Sequence, residues 1–378
     1  MKIAVITLPL HTNYGGILQA YALKRYLEDS GHEVTVLDMK DKMPLPRWWK
    51  APYIYMKRYL LRLVKGPEAS EVFRELRFRR EYPVISSGTA EFVSGYISPR
   101  MIGSYREIRK DEYDAYVVGS DQVWRPRYFG HIEDAFLEFT RDWDVKRVSY
   151  AASFGTDSLE TDYEQTQRCS RLLRKFDAVS VREESGADIC REWLDCDRAV
   201  HVLDPVMLLD KEVYISLSSS VREHPGKGKI VTYLLDPSAQ KMHVAEHMSG
   251  TSGMDIHVMN VNDDRTLPPQ ERVVPPVEQW IAGFRDAGFI VTDSFHGCVL
   301  SILFHKPFIV VGNDSRGLSR IHSLLGLFGL EMRLVHGIDP EDDGQFFLTP
   351  PDWKAVDDVL GKERNKSGKF LEGALPKA

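Results

Sequence analysis

The chain contains 378 residues, of which 43% are hydrophobic and 28% are charged, and its formal net charge at pH 7 is -6. A single hydrophobic core usually stops growing near ~250–300 residues, so this length predicts two domains. A negative net charge argues against a nucleic-acid partner, because the phosphate backbone needs a basic surface. Composition therefore indicates a two-domain globular protein in which any anion site is local.

Cysteine usage and the apolar runs bear on location. Cys169, Cys190, Cys196 and Cys298 form no CxxC pair, which indicates neither a zinc cluster nor a disulfide framework. The first apolar run, residues 3–8, is too short and too weakly cationic at its start for a signal peptide, and no stretch approaches the ~20 apolar residues of a membrane span. We expect a cytoplasmic protein without a metal site or a cofactor.

Short apolar runs alternate with segments of helical periodicity along both halves of the chain. In the first half, strands are predicted at 3–8, 34–37, 115–118, 148–151, 178–181 and 201–203, with helices at 18–27 and 168–176. In the second half, strands are predicted at 229–235, 256–261, 288–291 and 307–311. This alternation is typical of parallel sheets with crossover helices, so the predicted fold class is α/β with two open domains.

A polar segment rich in turn-forming residues separates the two series and holds little that could anchor it in a core. We therefore predict an N-terminal domain at 1–215, a linker at 216–228, a C-terminal domain at 229–350 and a C-terminal helix and tail at 351–378. Two open α/β domains present the carboxyl ends of their strands to a shared cleft. Ligand-binding residues are therefore expected in the loops that follow the strands.

The loop after the first predicted strand contains a glycine turn, and a predicted helix follows it. Asn13, Tyr14 and Gly15 form this turn, and Gln19 lies on the helix. The free N–H groups and the positive dipole end of a helix start suit an anion or a polyol. The segment matches neither a P-loop nor G-x-G-x-x-G, so tight turn geometry alone is an equally good interpretation.

A second loop combines groups that suit a sugar. Asp121, Gln122 and Trp124 follow a fully apolar strand, and their polar groups could bind hydroxyls while the indole covers a sugar ring. The structural alternative is an Asp helix cap with a Trp in the core. Ser153 and Arg182 follow the next two strands, where Arg182 could bind an anion or pair with a neighbouring glutamate.

The densest signal lies at residues 291–300, where a predicted buried strand turns sharply into a helix. Ser294 and His296 lie at this turn, and histidine exchanges protons near neutral pH. A lone histidine is more often structural. Here, however, Ser294, the free N–H groups of the helix start and the downstream Lys306 are expected to converge on one anion-binding corner.

Two arginines follow the next predicted strand. Arg316 and Arg320 are four residues apart, so they would share one face if this segment is helical. Planar guanidinium groups fit the oxygens of phosphate and carboxylate. The alternative is a solvated helix face whose arginines pair with Asp314 or Glu331.

In this order, the motifs resemble the polysaccharide pyruvyl transferase family over most of the chain. The matching segments are 3–23, 117–124, 149–155, 181–183, 201–205 and 292–297. The resemblance implies two Rossmann-like domains facing across a cleft, similar to GT-B glycosyltransferases. It also implies phosphoenolpyruvate as donor, a hydroxyl pair of a glycan sugar as acceptor, and a pyruvate ketal in capsule, exopolysaccharide or cell-wall glycan biosynthesis.

Better-studied members of that family carry an arginine two residues before the histidine, and here that position is Ser294. The cations that hold the donor must then come from elsewhere, with Arg316, Arg320 and Lys306 nearest in sequence. Two alternatives remain open at this point. One is a nucleotide-sugar-dependent GT-B glycosyltransferase, and the other is a non-catalytic glycan-binding paralogue.

The resemblance also implies a division of roles between the domains. His296 is the expected acid that protonates the methylene carbon of the donor, and Asp121 is the expected base near the sugar. The expected donor-binding residues are Ser294, His296, Gly297, Lys306, Arg316, Ser319 and Arg320. The expected acceptor-binding residues are Asn13, Tyr14, Gly15, Gln19, Asp121, Gln122, Trp124, Ser153 and Arg182.

One segment suggests a contact with membranes. Residues 45–65 include no acidic residue, six cations and five Trp or Tyr rings, a mixture suited to the interface of an anionic bilayer. The alternative is a packed surface helix with ordinary Lys and Arg side chains. We expect reversible binding at the inner face of the membrane, which would suit a lipid-linked oligosaccharide acceptor.

Overall fold

The computed structural model describes residues 1–40, 43, 45–66, 71–259, 264–313, 316–339 and 343–377. Over these residues the chain forms twelve strands in two sheets. The strands are β1 (Lys2–Ile6), β2 (Glu33–Met39), β3 (Arg100–Ile102), β4 (Ala115–Val118), β5 (Lys146–Ala152), β6 (Ala178–Val181), β7 (Val200–His201), β8 (Ile230–Tyr233), β9 (Ile256–Val258), β10 (Phe289–Thr292), β11 (Phe308–Val311) and β12 (Leu334–Val335).

Fifteen α-helices accompany these strands in the same described ranges. The first eight are α1 (Tyr14–Asp29), α2 (Ala51–Lys65), α3 (Arg74–Ile85), α4 (Ser87–Phe92), α5 (Ile132–Ala135), α6 (Tyr163–Leu173), α7 (Glu184–Trp193) and α8 (Pro205–Leu208). The others are α9 (Lys211–Leu217), α10 (Ala239–Ser252), α11 (Val277–Asp286), α12 (Phe295–Leu303), α13 (Ser319–Phe328), α14 (Gln345–Leu348) and α15 (Trp353–Ala374).

The N-terminal sheet has the strand order β3-β2-β1-β4-β5-β6-β7, and all its strands are parallel. Central strands are apolar throughout because helices cover both faces of a parallel sheet. On β1, Ile3 and Val5 belong to the core that includes α1, whereas Ala4 and Ile6 belong to a second core on the opposite face. Strand order reverses between β1 and β4, a place where such sheets bind ligands.

The C-terminal sheet is also parallel, with the order β12-β11-β10-β8-β9. Its central strands β8, β10 and β11 are completely buried. The expectation of two Rossmann-like α/β domains is therefore confirmed. The sequence did not predict β3 and β12, which are edge strands of three and two residues with little apolar periodicity.

The two domains share a continuous apolar core that includes side chains of α1, α11 and α12. At this contact the ring of Tyr14 stacks on Trp280 with centroids 4.9 Å apart, and its hydroxyl donates to the carbonyl of Pro275 at 2.8 Å. Burial raises the pKa of the Tyr14 phenol, so it stays a neutral donor. The start of α1 therefore contacts the C-terminal domain directly.

The C-terminal helix α15 returns to the N-terminal domain. Arg364 donates to the carbonyls of Met207 and Leu209, and the Ser367 hydroxyl accepts from the backbone N–H of Leu203 at 3.0 Å. These contacts satisfy backbone groups around the short helix α8. The predicted helix in the tail is thus present and ends at Ala374, and Ala378 lies outside the described residues.

Three further sequence expectations can be compared with the structure. Residues 260–261 of the predicted strand 256–261 lie outside the described residues, and β9 ends at Val258. The proposed linker is better anchored than its composition suggests, because Ser218 is buried and binds Arg285 through its hydroxyl at 2.7 Å. All four cysteines are buried and unpaired, and no helix in the described ranges is long and apolar enough to cross a membrane.

Candidate active site

Loops from both sheets meet in a buried cluster of charged and aromatic side chains between the domains. Its members, which we call the cleft corner, are Asp121, Arg182, Asp204, Phe295, His296 and Arg320. The first three follow β4, β6 and β7 of the N-terminal sheet. The others lie at the starts of α12 and α13. The cleft corner is thus built from strand ends and helix starts, as the α/β fold predicts.

The turn between β10 and α12 places His296 at the cleft corner. The Ser294 hydroxyl caps α12 by accepting from the backbone N–H of Gly297 at 3.3 Å. A Cβ atom on Gly297 would lie 2.4 Å from Oγ1 of Thr292, so close packing of helix and strand requires glycine there. Ser294 and Gly297 therefore form the turn that orients His296.

His296 lies against the N-terminal domain. Its side chain is 7% exposed, and its Nε2 is 3.6 Å from Oδ2 of Asp204. Within the described part of the chain this Nε2 has no hydrogen-bond partner. A Cβ atom on Gly15 would lie 2.0 Å from Nδ1 of the imidazole, so only glycine at the start of α1 leaves space for the ring. Gly15, expected to bind the acceptor, thus packs on His296.

Asp204 is the anionic centre of the cleft corner, and it was absent from the site assigned from sequence. Its Oδ2 accepts from Nη1 of Arg182 at 2.9 Å and from the Ser120 hydroxyl at 3.1 Å. Its Oδ1 accepts from the N–H of Val206 and caps α8. Burial opposes ionisation, but His296 and Arg182 lower the pKa of Asp204, so it stays charged. The sequence signal that could have indicated Asp204 is the Asp-Pro pair after the last predicted strand of the N-terminal domain.

Arg182 joins two loops of the N-terminal domain. Its Nη2 donates to Oδ1 of Asp121 at 3.1 Å, and its side chain is 1% exposed. Its guanidinium carbon lies 4.6 Å from the centre of the Phe295 ring, which brings this cation against the C-terminal domain. Burial opposes its charge, but Asp121 and Asp204 raise the pKa of Arg182. This arginine is therefore neutralised by two carboxylates.

Arg320 is the second buried arginine, and it has fewer partners. Its Nη2 donates to the carbonyl of Arg316 at 3.1 Å, while its Nε has no partner among the described residues. Burial, assisted by the nearby Arg182, lowers the pKa of Arg320 to about 10. The hydroxyl of Ser319, one residue earlier, is also buried without a described partner. Arg320 and Ser319 therefore offer donors to an anion at the start of α13.

The backbone conformation and the hydrogen bonds of Asp121 restrict this side chain, which was expected to act as a base. Its φ angle is 69°, and its Oδ1 accepts from its neighbour's N–H at 2.9 Å as well as from Arg182. Burial would raise its pKa, but Arg182, His296 and Arg320 together lower it. Asp121 is therefore a hydrogen-bond acceptor that stays ionised and a weak proton acceptor.

Two cations expected at the donor site have other neighbours in the structure. His296 lies in the first turn of α12, whereas Lys306 follows the opposite end of this nine-residue helix, which is about 13 Å long, and lies near Asp286. Arg316 precedes α13, so it does not share a helix face with Arg320, and it binds Asp236 at 2.6 and 2.8 Å. Its proposed alternative partner Asp314 lies outside the described residues.

Two side chains expected to bind the acceptor, Trp124 and Gln19, are buried inside the N-terminal domain. The Trp124 indole is 1% exposed, stacks on Phe136 at 4.9 Å and donates to the carbonyl of Ala135. The sugar-stacking expectation for Trp124 is therefore not met, because the ring fills the core of its own domain. The side chain of Gln19 is also buried, and it links Thr7 on one side with the backbone N–H of Ser120 on the other.

The other residues expected to bind the acceptor lie around the cleft corner, and each of them has a different partner. The Gln122 amide oxygen accepts from Arg125 at 3.1 Å, and the Ser153 hydroxyl donates to the buried Glu183 at 2.9 Å. Asn13 is exposed at the start of α1, where its carbonyl accepts from Ile17. Of these side chains, Asn13 is the one exposed to solvent beside the cleft corner.

A separate group of three side chains could offer ligands to a metal ion. The ligand atoms of His131, Asp134 and Glu138 lie within 4.8 Å of one another. They surround α5 on the surface of the N-terminal domain and share no contact with His296. Burial raises the pKa of Asp134. This group does not contribute to the cleft corner.

The cleft corner lies between two α/β domains, each built on a parallel sheet. The sequence profile of the polysaccharide pyruvyl transferase family matches residues 13–315. Because this covers most of the chain, the protein belongs to the polysaccharide pyruvyl transferase family. A comparison with curated protein sequences finds no match.

Solved structures with similar backbones include glycosyltransferases and epimerases. The complex of a UDP-GlcNAc 2-epimerase from Neisseria meningitidis with UDP-GlcNAc is 11% identical, covers 100% of both chains and has a TM-score of 0.47. Arabidopsis thaliana UGT89C1 with UDP-L-rhamnose is 11% identical over 98% of both chains, with a TM-score of 0.49. MurG of Acinetobacter baumannii is 9% identical, over 100% of this chain and 99% of its own, with a TM-score of 0.43.

Proposed function

We propose that the protein transfers the pyruvyl group of phosphoenolpyruvate to two hydroxyls of a glycan sugar. The observation that carries the proposal is that His296 and Arg320 both act on Asp121 and lower its pKa, while Nε2 of His296 and Nε of Arg320 are buried without a hydrogen-bond partner in the described chain. An acid and an anion site at one buried point suit a small anionic substrate that must be protonated.

In this proposal the donor binds between α12 and α13. Arg320 and the Ser319 hydroxyl hold its carboxylate or phosphate. They take the role of the arginine that better-studied members of the family carry at the position of Ser294. An anion at this position would relieve the repulsion between Arg320 and Arg182, which favours binding. The Phe295 ring lies near both guanidinium groups, with the Arg182 and Arg320 carbons 4.6 and 5.9 Å from its centre.

The chemical steps follow from these positions. His296 in its protonated form donates to the methylene carbon, and the positive centre that develops at C2 is attacked by the first sugar hydroxyl. Asp121 accepts a hydrogen bond from that hydroxyl and orients it, but its lowered pKa makes it a weak base. The hydroxyl proton therefore passes to the phosphate as the bond between C2 and the phosphate oxygen breaks. Loss of phosphate leaves a positive centre at C2. The second hydroxyl closes the ketal and returns its proton to His296, so protons balance.

Asp204 holds the geometry for these steps. Its carboxylate faces Nε2 of His296 at 3.6 Å and anchors Arg182 at 2.9 Å, so it holds the loops after β6 and β7 against the start of α12. The acceptor would approach past Asn13, which is exposed beside the cleft corner.

The test is direct. Wild type and His296→Gln are incubated with phosphoenolpyruvate and a panel of simple and lipid-linked glycosides, and the products are analysed for released phosphate and for the pyruvyl adduct by mass spectrometry. We expect an adduct with wild type and none with the variant at unchanged folding. Sugar transfer from a nucleotide sugar, or glycan binding without phosphate release, would instead support one of the two alternative functions.

We also propose that the protein contacts anionic membranes reversibly through residues 45–65. Helix α2 has no buried residue, and Trp48, Tyr53 and Leu63 are more than half exposed. Vesicles containing phosphatidylglycerol should sediment wild type at low salt and retain less of Trp48→Ala/Trp49→Ala. No sedimentation of wild type at low salt would return this segment to the role of an ordinary surface helix.

A further inference from the structure

A pocket of about 150 Å³ opens in the N-terminal domain at the carboxyl ends of β1 and β2, beside the loop that follows β4. We call it the tyrosine pocket, and its lining includes Thr7, Leu37, Asp38, Tyr105, Tyr128 and Asp134. None of the residues that line it belongs to the cleft corner, and the proposed reaction assigns them no part. Strand order reverses between β1 and β4, so the tyrosine pocket lies where parallel sheets bind ligands.

The volume of the tyrosine pocket suits a single ring. A cavity of ~150 Å³ holds a molecule of the size of benzene, whereas pockets for drug-sized ligands measure ~300–1,000 Å³. The pocket is open at Tyr128, which is 36% exposed. One sugar ring therefore fits with an edge in solvent, and a nucleotide is too large to be enclosed.

Aromatic rings form part of the lining. Tyr105 stacks on Phe139 with centroids 5.0 Å apart, which holds the Tyr105 ring in place. Tyr128 and Phe129 lie in the loop after β4 and line the same pocket. The apolar C–H face of a sugar packs on rings of this kind, while its hydroxyls need polar partners. The aromatic lining thus provides the apolar half of a sugar site.

Carboxyl groups supply the polar partners. Asp38 is buried at the end of β2, and Oδ2 of Asp134 lies 3.4 Å from Nδ1 of His131. All three side chains line the pocket, and among its described lining residues there is no lysine or arginine. Carboxylates accept from sugar hydroxyls and repel an anion. The tyrosine pocket therefore favours an uncharged ligand, in contrast to the cleft corner with its two arginines.

The hydroxyl of Tyr105 is a buried polar group that lacks a partner. The residue is 6% exposed and lines the pocket, and its hydroxyl forms no hydrogen bond with another residue in the described ranges. Burial raises the pKa of Tyr105, and Asp134 and Asp38 raise it further, so the hydroxyl stays a neutral donor. A buried polar group without a partner costs free energy, which a hydroxyl of an entering ligand would recover.

The tyrosine pocket adjoins the cleft corner. The Thr7 hydroxyl donates to the carbonyl of Ser120 at 3.1 Å, one residue before Asp121. The loop after β4 contains both Asp121 and Tyr128, and Tyr128 lies near Arg320 of the C-terminal domain. A ligand in the pocket is thus held beside the residue that orients the acceptor hydroxyl in the proposed reaction.

We propose that the tyrosine pocket binds one uncharged sugar ring of the acceptor glycan. The Tyr105 hydroxyl and the carboxylates of Asp38 and Asp134 are its hydrogen-bond partners, and the ring packs on Tyr128 and Phe129. This deepens the proposed function by naming the size and charge of the sugar that the site selects, and only the role of that sugar as acceptor rests on the proposed function. The pocket distinguishes uncharged from acidic sugars whatever reaction follows.

The test measures sugar binding to the full chain by NMR titration without phosphoenolpyruvate. The probes are the methyl glycosides of glucose, galactose, mannose and N-acetylglucosamine, together with methyl glucuronide, which adds a carboxylate to the glucose ring. Tyr105→Phe removes one hydroxyl from the pocket. Its matched control is Tyr116→Phe, because the Tyr116 hydroxyl is also buried without a described partner but does not line the pocket. Thermal unfolding of each variant verifies its fold.

We expect at least one uncharged glycoside to bind wild type. Tyr105→Phe should bind it about fivefold more weakly, the usual effect of one lost hydrogen bond, and Tyr116→Phe should bind it like wild type. Equal affinity of wild type and Tyr105→Phe would overturn the proposal, as would binding of none of the glycosides to wild type. An equal loss in both variants would also overturn it, because a general packing effect would then explain the result.

Charge selection is tested with Asp134→Asn and its control Glu164→Gln, whose carboxylate is 84% exposed on α6. Methyl glucuronide should bind wild type about tenfold more weakly than methyl glucoside, and Asp134→Asn should narrow this difference while Glu164→Gln keeps it. Equal affinity of the two sugars for wild type, or a difference that Asp134→Asn leaves unchanged, would refute the selection for uncharged rings.

Failure of this proposal and failure of the proposed function give different results. If sugar binding depends on Tyr105 but no pyruvyl transfer is found, the proposed function fails and the sugar pocket stands. If pyruvyl transfer is found and its KM for the acceptor is unchanged in Tyr105→Phe, the sugar pocket fails and the proposed function stands.

Discussion

A Cβ atom on Gly15 would lie 2.0 Å from Nδ1 of His296, so the first turn of α1 fixes the imidazole position from the opposite domain. Gly15→Ala should therefore displace the ring from Asp204 and lower turnover about 100-fold or more, with a modest loss of stability of about 1–3 kcal/mol. Phosphate release and urea unfolding measure the two effects.

The control for this substitution is Gly361→Ala, because a Cβ there meets no atom within 4 Å and the residue lies inside α15. That variant should keep full activity and gain up to about 1 kcal/mol of helix stability. Wild-type turnover in Gly15→Ala would show that the imidazole can move without consequence, which contradicts the proposed role of its position.

Arg320 and Arg316 provide a matched pair for testing donor binding. Arg320 is buried with an unpartnered Nε, whereas Arg316 is already bound bidentately by Asp236. Arg320→Gln should weaken phosphoenolpyruvate binding by ~1.5–3 kcal/mol, and Arg316→Gln should weaken it by less. Calorimetric titration of both variants provides the comparison. A larger effect in Arg316→Gln would move the anion site toward the loop after β11.

Asp204 should matter for folding as well as for chemistry. Asp204→Asn removes one of the two carboxylates that neutralise Arg182, so we expect a loss of about 3 kcal/mol in the free energy of unfolding. If the buried arginine causes this loss, the double variant Asp204→Asn/Arg182→Met should be less destabilised than the sum of its single variants. Chemical denaturation measures all three, and strict additivity would refute the coupling.

The ion pair between Arg58 and Glu75 should make the stability of the protein depend on pH in the acidic range. The folded-state pKa of Glu75 is lowered to about 2, so its contribution is present above the unfolded value near 4.5 and is lost as pH falls toward 2. The full contribution is about 2–3 kcal/mol for this nearly buried carboxylate. Glu75→Gln should therefore unfold at lower urea than wild type at pH 6, and the difference should shrink to about a quarter at pH 2.5. A difference as large at pH 2.5 as at pH 6 would point to packing.

Sequence periodicity predicted ten of the strands and the two parallel sheets, because strands buried on both faces are almost continuously apolar. The edge strands β3 and β12 were not predictable, since pairing along one side leaves little hydrophobic pattern. His296, Arg182 and Arg320 were identified from their residue types and places after strands. Trp124 was assigned wrongly to a sugar, because an indole after a strand looks the same whether it faces a cleft or a core.

Asp204 shows why the rest of the site could not be predicted. Its partners Ser120, Arg182 and His296 are 84, 22 and 92 positions away, and only the packing of two sheets brings them together. Capping of α8 is the local role that its sequence indicates. The charged contacts depend on tertiary distances, which one sequence does not contain.

The return of α15 to the N-terminal domain means that the chain crosses between the domains twice. Because Arg364 and Ser367 fasten the second crossing to backbone groups around α8, the domains are joined at two separated points. Two such attachments permit a hinge rotation of one domain about the line that joins them, and they oppose sliding of one domain along the other. A rotation of the domains that admits substrate should therefore move His296 away from Gly15, and the reverse rotation should restore the contact between them.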